Sequence, residues 1–258
     1  MPRVVGDWTR DKLKILEAYL PGYLQATTSA RDRVYIDAFA GPGKNQLRRS
    51  REIIDGSPLI ALNARAQNDT RFSRLFFIDQ DEEAIEELTG HVRDLDIDNR
   101  CKVVHGDINE KLPEIVQQLS PYAPTFVFLD TDAIEPKWTT IEKISPWRVE
   151  LLINFPLGMS INRNPDSQKT LDYFGTADCL QLLSRSGTGR TRGLLDLYKG
   201  RLKELGFVHT TEDDRLIKTL SGKRLYYLVF VSKRTAGQTI MNWVFRQPDA
   251  IGQAHLGI

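Results

Sequence analysis

Cysteine is nearly absent from this 258-residue chain: Cys101 and Cys179 stand far apart, without Cys-x-x-Cys spacing. That excludes a disulfide-built scaffold and a cysteine zinc cluster. His91, His105, His209 and His255 form no ligand spacing either, so no metal site is expected. An excess of one charge is also missing. Thirty-five Lys and Arg face 34 Asp and Glu, a formal net charge of +1, and bulk electrostatics therefore names neither nucleic acid nor an acidic partner. No apolar run approaches the roughly 20 residues that cross a bilayer, and the stretch Met1 to Asp7 lacks the long apolar core of a signal peptide. A cytoplasmic protein with no membrane partner is expected.

What is present is ordinary globular material: 41% hydrophobic and 27% charged residues, enough for one domain spanning residues 1–258. Leu13, Leu16, Tyr19, Leu20, Tyr23 and Leu24 recur at three- and four-residue spacing, which predicts an amphipathic helix over 9–24. Five strand-like runs follow, at Arg33–Ile36, Leu75–Ile78, Lys102–Val104, Thr125–Leu129 and Leu151–Ile153. Helical runs separate them, around Pro58–Leu62, Glu82–Val92, Asn109–Leu119 and Trp138–Ile144. This alternation implies an α/β fold with parallel strands joined by right-handed crossovers. The final third is expected to add a helix from Gly193 to Leu205, strands at Phe207–Thr210 and Arg224–Val231, and a last helix from Thr239 to Phe245. The late strands read as an antiparallel edge. Residues 157–191, rich in Asn, Asp, Ser and Gly, read as an insertion over the ligand face.

The most specific stretch is Val34-Tyr35-Ile36-Asp37-Ala38-Phe39-Ala40-Gly41-Pro42-Gly43. A buried strand runs into an acid and then a Gly-x-Gly turn, where bare main chain lets a nucleotide-like ligand approach. A carboxylate before that turn repels a pyrophosphate but suits the cationic amino group of an S-adenosylmethionine-type ligand. Asp79 and Asp107 end the next two strands, in the contexts Ile78-Asp79-Gln80 and Gly106-Asp107-Ile108. Carboxyl ends of neighbouring parallel strands lie side by side, so the three acids converge on one crevice. Asp79 is placed to accept from both ribose hydroxyls and Asp107 from an exocyclic adenine amine. Each also has the residue type that caps a helix. A nicotinamide dehydrogenase fits less well, because Gly43 is followed by Lys44-Asn45-Gln46 rather than by a Gly-opened helix.

The fourth and fifth strands end in Asp130-Thr131-Asp132-Ala133 and Asn154-Phe155-Pro156. Asp130, with Asn154 behind it, is the candidate for presenting a nucleophile to a transferred group, a task that rests on alignment. Two basic clusters stand out: Lys44, Arg48, Arg49 and Arg51, and then Arg185, Arg190, Arg192, Lys199, Arg201 and Lys203. Such clusters track phosphates when they share one face, and are solvated surface when they do not. Trp138 and Trp147 read as core anchors.

Taken together these motifs resemble a class I S-adenosylmethionine-dependent methyltransferase, and more narrowly the three-Cys-motif partner family of bacterial proteins encoded beside a three-cysteine protein. The resemblance rests on Gly6-Asp7-Trp8-Thr9 with the Lys12–Leu20 helix, Tyr35 to Gly43, Gly56-Ser57-Pro58-Leu59, Phe77-Ile78-Asp79, Trp138-Thr139-Thr140-Ile141, and Asn154-Phe155 with Asn162-Arg163-Asn164. It implies a Rossmann-like sheet of seven mostly parallel strands with an antiparallel carboxyl-terminal pair, and S-adenosyl-L-methionine as cofactor. Its site would comprise Asp37, Phe39, Ala40, Gly41, Pro42 and Gly43, with Asp79 and Gln80 at the ribose and Asp107 and Ile108 at the adenine. It also implies a three-Cys-motif protein as partner. Where the family tends to carry an Asp-Pro-Phe-Gly-like element, this chain has Asp130-Thr131-Asp132-Ala133, which removes a rigid carbonyl and weakens the case for amine methylation. Three functions therefore stand: methyl transfer to an unidentified acceptor, with nucleic acid a candidate through Arg48, Arg49, Arg51, Arg190 and Arg192; a non-catalytic fold that binds its three-cysteine neighbour; or nucleic-acid recognition by the two basic clusters, with or without chemistry.

Overall fold

The computed structural model describes residues 2–131, 133–156, 168–185, 187–219 and 221–248. In chain order the elements are β1 (Arg3–Val5), α1 (Thr9–Ala26), β2 (Val34–Asp37), β3 (Lys44–Leu47), β4 (Ile53–Asp55) and α2 (Ser57–Asn63). β5 (Arg74–Asp79), α3 (Glu82–Leu95), β6 (Cys101–His105), α4 (Ile108–Gln117), β7 (Thr125–Leu129), α5 (Trp138–Ile144) and β8 (Val149–Pro156) follow. The chain closes with α6 (Gln168–Phe174), α7 (Asp178–Leu183), α8 (Gly187–Glu204), β9 (His209–Thr210), β10 (Arg215–Lys218), β11 (Arg224–Ser232) and α9 (Thr235–Phe245).

The main sheet runs β10-β11-β8-β7-β2-β5-β6, with β9 added on β11. β6, β5, β2, β7 and β8 pair in parallel, whereas β11 runs antiparallel to β8, β10 and β9. The chain passes from β2 out to β5 and β6 and then returns to β7 and β8. The order reverses between β2 and β7, and a crevice opens outside the carboxyl ends of strands at such a point. β2 and β7 are buried along their whole length because helices cover both faces.

Strand pleat sorts the core into two layers. Val34, Ile36, Phe76, Ile78, Val127, Leu129 and Ile153 pack under α4 to α8. The alternate residues Tyr35, Phe77, Phe126, Phe128, Leu152 and Phe230 pack under α1, α2, α3 and α9. Tyr19 and Tyr23 of α1 meet Phe126 at ring centroid distances of 5.1 and 5.8 Å. By the same alternation Asp37, Asp79, Asp130 and Asn154 belong to the α1 face at the carboxyl ends of their strands.

Several expectations need correction. The stretch from Lys44 to Ser57, where no strand was expected, contains the β3–β4 hairpin, which pairs with β1 into a separate three-stranded sheet. Its strands are short and polar, Lys44 to Leu47 above all, so no apolar alternation marked them. The antiparallel partner expected at Phe207–Thr210 is mainly β10, with β9 only two residues long, and the main sheet has eight strands rather than seven. The described part of the 157–191 segment holds α6, α7 and the start of α8, which begins at Gly187 and not Gly193. Residues 157–167, including Asn162, Arg163 and Asn164, lie outside the described residues. α1 extends to Ala26, and α9 begins at Thr235.

At the opposite pole from the crevice, the buried Glu150 carboxylate accepts from Tyr19 Oη at 2.6 Å and Ser232 Oγ at 3.0 Å. Burial pushes its pKa up, against the pull of those two donors. This knot joins α1, β8 and β11. Tyr19→Phe removes one donor from a buried carboxylate and should cost about 1–3 kcal/mol. Urea unfolding at pH 7 reads this as a lower midpoint with an unchanged slope, and an unmoved midpoint contradicts the bond.

Candidate functional site

A crevice of about 880 Å³ lies outside the carboxyl ends of β2, β5 and β7. Phe39, Gly41 and Pro42 from the turn after β2, Asp79 and Gln80 from the end of β5, and Asp130 and Thr131 from the end of β7 line it. Gly41 sits at φ +62°, and a side chain there would point into open space with no atom within 4 Å. Gly43, at φ +86°, faces the other way: a Cβ would come within 2.9 Å of Leu88 Cδ1 on α3. Its carbonyl accepts from Gly56 N–H at 2.7 Å. One glycine of the pair opens on the crevice, and the second lets the hairpin and α3 close against the turn.

Asp79 orders that turn. It accepts from Gly41 N–H at 2.7 Å through one oxygen and from Asp81 N–H at 3.0 Å through the other. Each carboxylate oxygen keeps a further lone pair for a ligand hydroxyl. Asp107 is the N-cap of α4, accepting from Asn109 N–H at 2.8 Å. It lies near Glu135, a residue of the crevice wall whose carboxyl is pushed up by burial and then by the Asp107 charge. Ile108 packs into the core under α4. Ala40 is buried, and its N–H donates to Ile78 O at 2.9 Å.

Of the expected site residues, Ala40, Gly43, Asp107 and Ile108 do not line this crevice, and Asp37 and Asn154 sit behind its wall. Asp37 is 0% exposed. It accepts from Tyr35 Oη at 3.1 Å and Phe39 N–H at 3.4 Å, and Ser57 donates to it as well. Burial first, and the nearby Asp130 charge after it, push its carboxyl up to about 7. Its work is therefore to shape the turn from below. Asn154 is 2% exposed. Its Nδ2 donates to Asp130 Oδ1 at 3.2 Å and to Thr131 O at 2.9 Å, which makes it a positioning residue instead of a direct support for an acceptor. Asp130 itself reaches the crevice, at 14% side-chain exposure, and forms an ion pair with Lys12 of α1, at 8%.

Lys12 is the residue that motif reading missed. It stands one helical repeat before Leu16 and Tyr19, so the stripe of α1 that buries those side chains buries the lysine too. A lysine on an apolar stripe was the available signal.

A second chamber of about 190 Å³ adjoins the first and shares Arg3, Phe39, Gly41 and Asp130 with it. The β1–β3–β4 sheet and the start of α1 enclose it through Val5, Trp8, Lys12, Asn45 and Arg48, with Ser57 on the far side. Arg48, Arg49 and Arg51 of the hairpin turn are exposed beside it. The later basic cluster is engaged with its own surroundings. Lys199 pairs with Asp214 at 2.9 Å, Arg192 with Asp196 at 3.1 Å, and Arg190 donates to Leu183 O at 3.4 Å. Arg201 lies 4.3 Å over the Trp138 ring.

Solved structures superpose on most of the chain. The chain superposes on LPL1258 from Legionella pneumophila str. Philadelphia 1, described under the family-model name DUF519, with a TM-score of 0.58 at 11% identity, covering 92% of this chain and 91% of that one. It superposes on an O-methyltransferase from Bacillus cereus in complex with SAH with a TM-score of 0.50 at 11% identity, covering 86% and 81% of the two chains. The fold is that of Rossmann-like methyltransferases. No protein-family model and no curated protein sequence matches the chain. Among the described residues no helix is long and apolar enough to cross a membrane.

Asp37 makes stability depend on pH with a definite sign. Its folded carboxyl holds a proton up to about 7 against an ordinary value of 3.8. The folded state thus binds more protons between those limits, and the stability this gives is full below pH 4 and lost as pH rises through 7. At about 1.4 kcal/mol per tenfold in proton affinity, the loss is roughly 4 kcal/mol. Asp37→Asn lacks this titration. Thermal melts should show the lead of wild type over the variant, or its deficit, moving by several degrees toward the variant between pH 5 and pH 8. A constant difference would show that Asp37 ionises normally.

Proposed function

We propose that the chain is an S-adenosylmethionine-dependent methyltransferase. The observation that carries this reading is the acidic crevice at the strand-order switch, about 880 Å³ in volume and floored by a turn whose Gly41, at φ +62°, opens bare main chain onto it. Among the described residues, Asp79, Asp81, Glu83, Glu86, Glu87, Asp130 and Glu135 line it against one cation, Arg3. That charge balance opposes a phosphate and suits a ligand carrying an ammonium and a sulfonium. The bound cofactor supplies an electrophilic methyl group on sulfur.

Within this reading Phe39, Gly41 and Pro42 bound the methionine end, while Asp37 and Ala40 hold the turn from beneath. Asp79 and Gln80 receive the ribose. Asp107, at the start of α4 near Glu135 of the wall, lies toward the adenine side, with Ile108 packed in the core behind it. Asp130 is the group nearest the acceptor. Its charge is balanced by Lys12 and its orientation fixed by Asn154, so it can hold an acceptor nitrogen or hydroxyl in line and take the proton that methylation releases. A crevice outside the carboxyl ends of the strands at the switch in strand order is where open α/β sheets bind ligands, which favours ligand chemistry over a purely structural partner role. The narrower assignment to the three-Cys-motif partner family, and a three-cysteine protein as its neighbour, rest on the motifs quoted above.

Calorimetric titration tests the reading. One equivalent of S-adenosylmethionine should bind more tightly than S-adenosylhomocysteine, because the acidic wall favours the cationic sulfonium over the neutral thioether, and the gap should narrow as salt rises. Asp79→Ala should weaken both by about tenfold or more, near 1.4 kcal/mol or above. Absence of heat with either ligand, or full affinity in Asp79→Ala, defeats the proposal.

A further inference from the structure

Charge changes sign across a single partition. Arg3, Phe39, Gly41 and Asp130 border both spaces; on one side lies the acidic crevice, and on the other the smaller chamber, which adds Lys12 and Arg48 and, among the described residues, no further acid. An anionic molecule cannot pass along the acidic side to reach Asp130 without crossing a field of its own sign. The basic side offers the opposite approach. Two aromatic side chains, Trp8 and Phe39, and the Asn45 amide lie in that same wall. Outside it the hairpin turn carries Arg48, Arg49 and Arg51 into solvent.

From this arrangement we infer that the small chamber is the acceptor entrance and that it takes one nucleotide unit, its base inside and its phosphates on the hairpin arginines. Volume limits the choice. About 190 Å³ equals some six waters at roughly 30 Å³ each, room for a single flat ring system and not for a folded peptide segment. Aromatic rings with adjoining cations are the combination that holds bases and backbone phosphates without sequence preference. The partition then has a chemical purpose. Phe39 and Asp130 face both spaces, so a group entering from the basic side meets the cofactor side at Asp130. The acceptor nucleophile would form its bond to the methyl carbon as the carbon–sulfur bond breaks, sulfur keeping the electron pair, and the acceptor's proton would leave to Asp130 or water. This step rests on the methyltransferase reading; nucleotide binding by the chamber does not.

The experiment uses the full chain, a fluorescein-labelled single-stranded RNA decamer of mixed sequence, and AMP as competitor. Anisotropy should report binding that falls about 20-fold between 50 and 200 mM salt if three phosphates are engaged. Arg48→Glu should weaken it tenfold or more. Val5→Trp, which fills the chamber with a ring, should abolish it, and both variants should bind S-adenosylhomocysteine like wild type. Should Val5→Trp fail that control, Asn45→Leu takes its place, with a tenfold loss expected. Displacement by AMP assigns free nucleotides as the source, and strand-only binding assigns nucleic acid; either upholds the inference. No binding of either probe overturns it, as does RNA binding that Arg48→Glu lowers but chamber filling leaves intact. RNA binding without S-adenosylhomocysteine binding would instead sink the methyltransferase reading and leave the chamber standing.

Discussion

A lysine and an aspartate removed from water together hold this site in shape. Lys12 brings α1 to the carboxyl end of β7, where Asp130 also receives the amide of Asn154 from β8. Burying either charge alone would be costly, and their pairing does not by itself guarantee stability. Its consequence is geometric. With Lys12 seated, the start of α1 and the β1 strand before it close one side of the strand ends, and the space there divides into two chambers. Removing the lysine would take this cation from a half-buried carboxylate near Asp37, whose own carboxyl already feels Asp130.

Pleat explains why these groups meet. Tyr35 and Asp37 share a face, as do Phe128 and Asp130, and Leu152 and Asn154, because alternate residues of a strand point the same way. The aromatic residues of that set pack beneath α1, and the polar ones emerge at the strand ends. The helix therefore meets hydrocarbon along most of its length and the Asp130 carboxylate at its first turn. Lys12 serves the second and Leu16, Tyr19 and Tyr23 the first. The same parity puts Glu150 under Tyr19 at the far end, so α1 is held to the sheet by a polar contact at each pole.

Much of this was legible beforehand. The β2 turn, the acids ending successive strands and the alternation of strands with helices named an α/β sheet and the edge at which its crevice opens. The readings that changed were of orientation. Asp37 and Asn154 are strand-end polar residues like Asp79 and Asp130, and residue type alone does not distinguish a group on a wall from one behind it. Gly41 and Gly43 are equally alike on paper. One meets empty space and the other meets Leu88. The basic clusters divided in the same way: α8 spends its cations on Asp196, Asp214 and Trp138, whereas the hairpin arginines stay exposed beside the chamber.

The amino-acid order by itself determined the strand and helix alternation, the parallel core and the carboxylates at its edge, because those follow from local periodicity and from the rule that crossovers keep one hand. Tertiary structure alone decided the β1–β3–β4 sheet, the burial of Lys12 against Asp130 and the opposite charges of the two chambers. Strands of three and four residues carry too little period to read, and their pairing joins Arg3 to Asn45 across a long stretch of chain. The sign of a chamber is a sum over side chains brought from many elements, and no local stretch contains that sum.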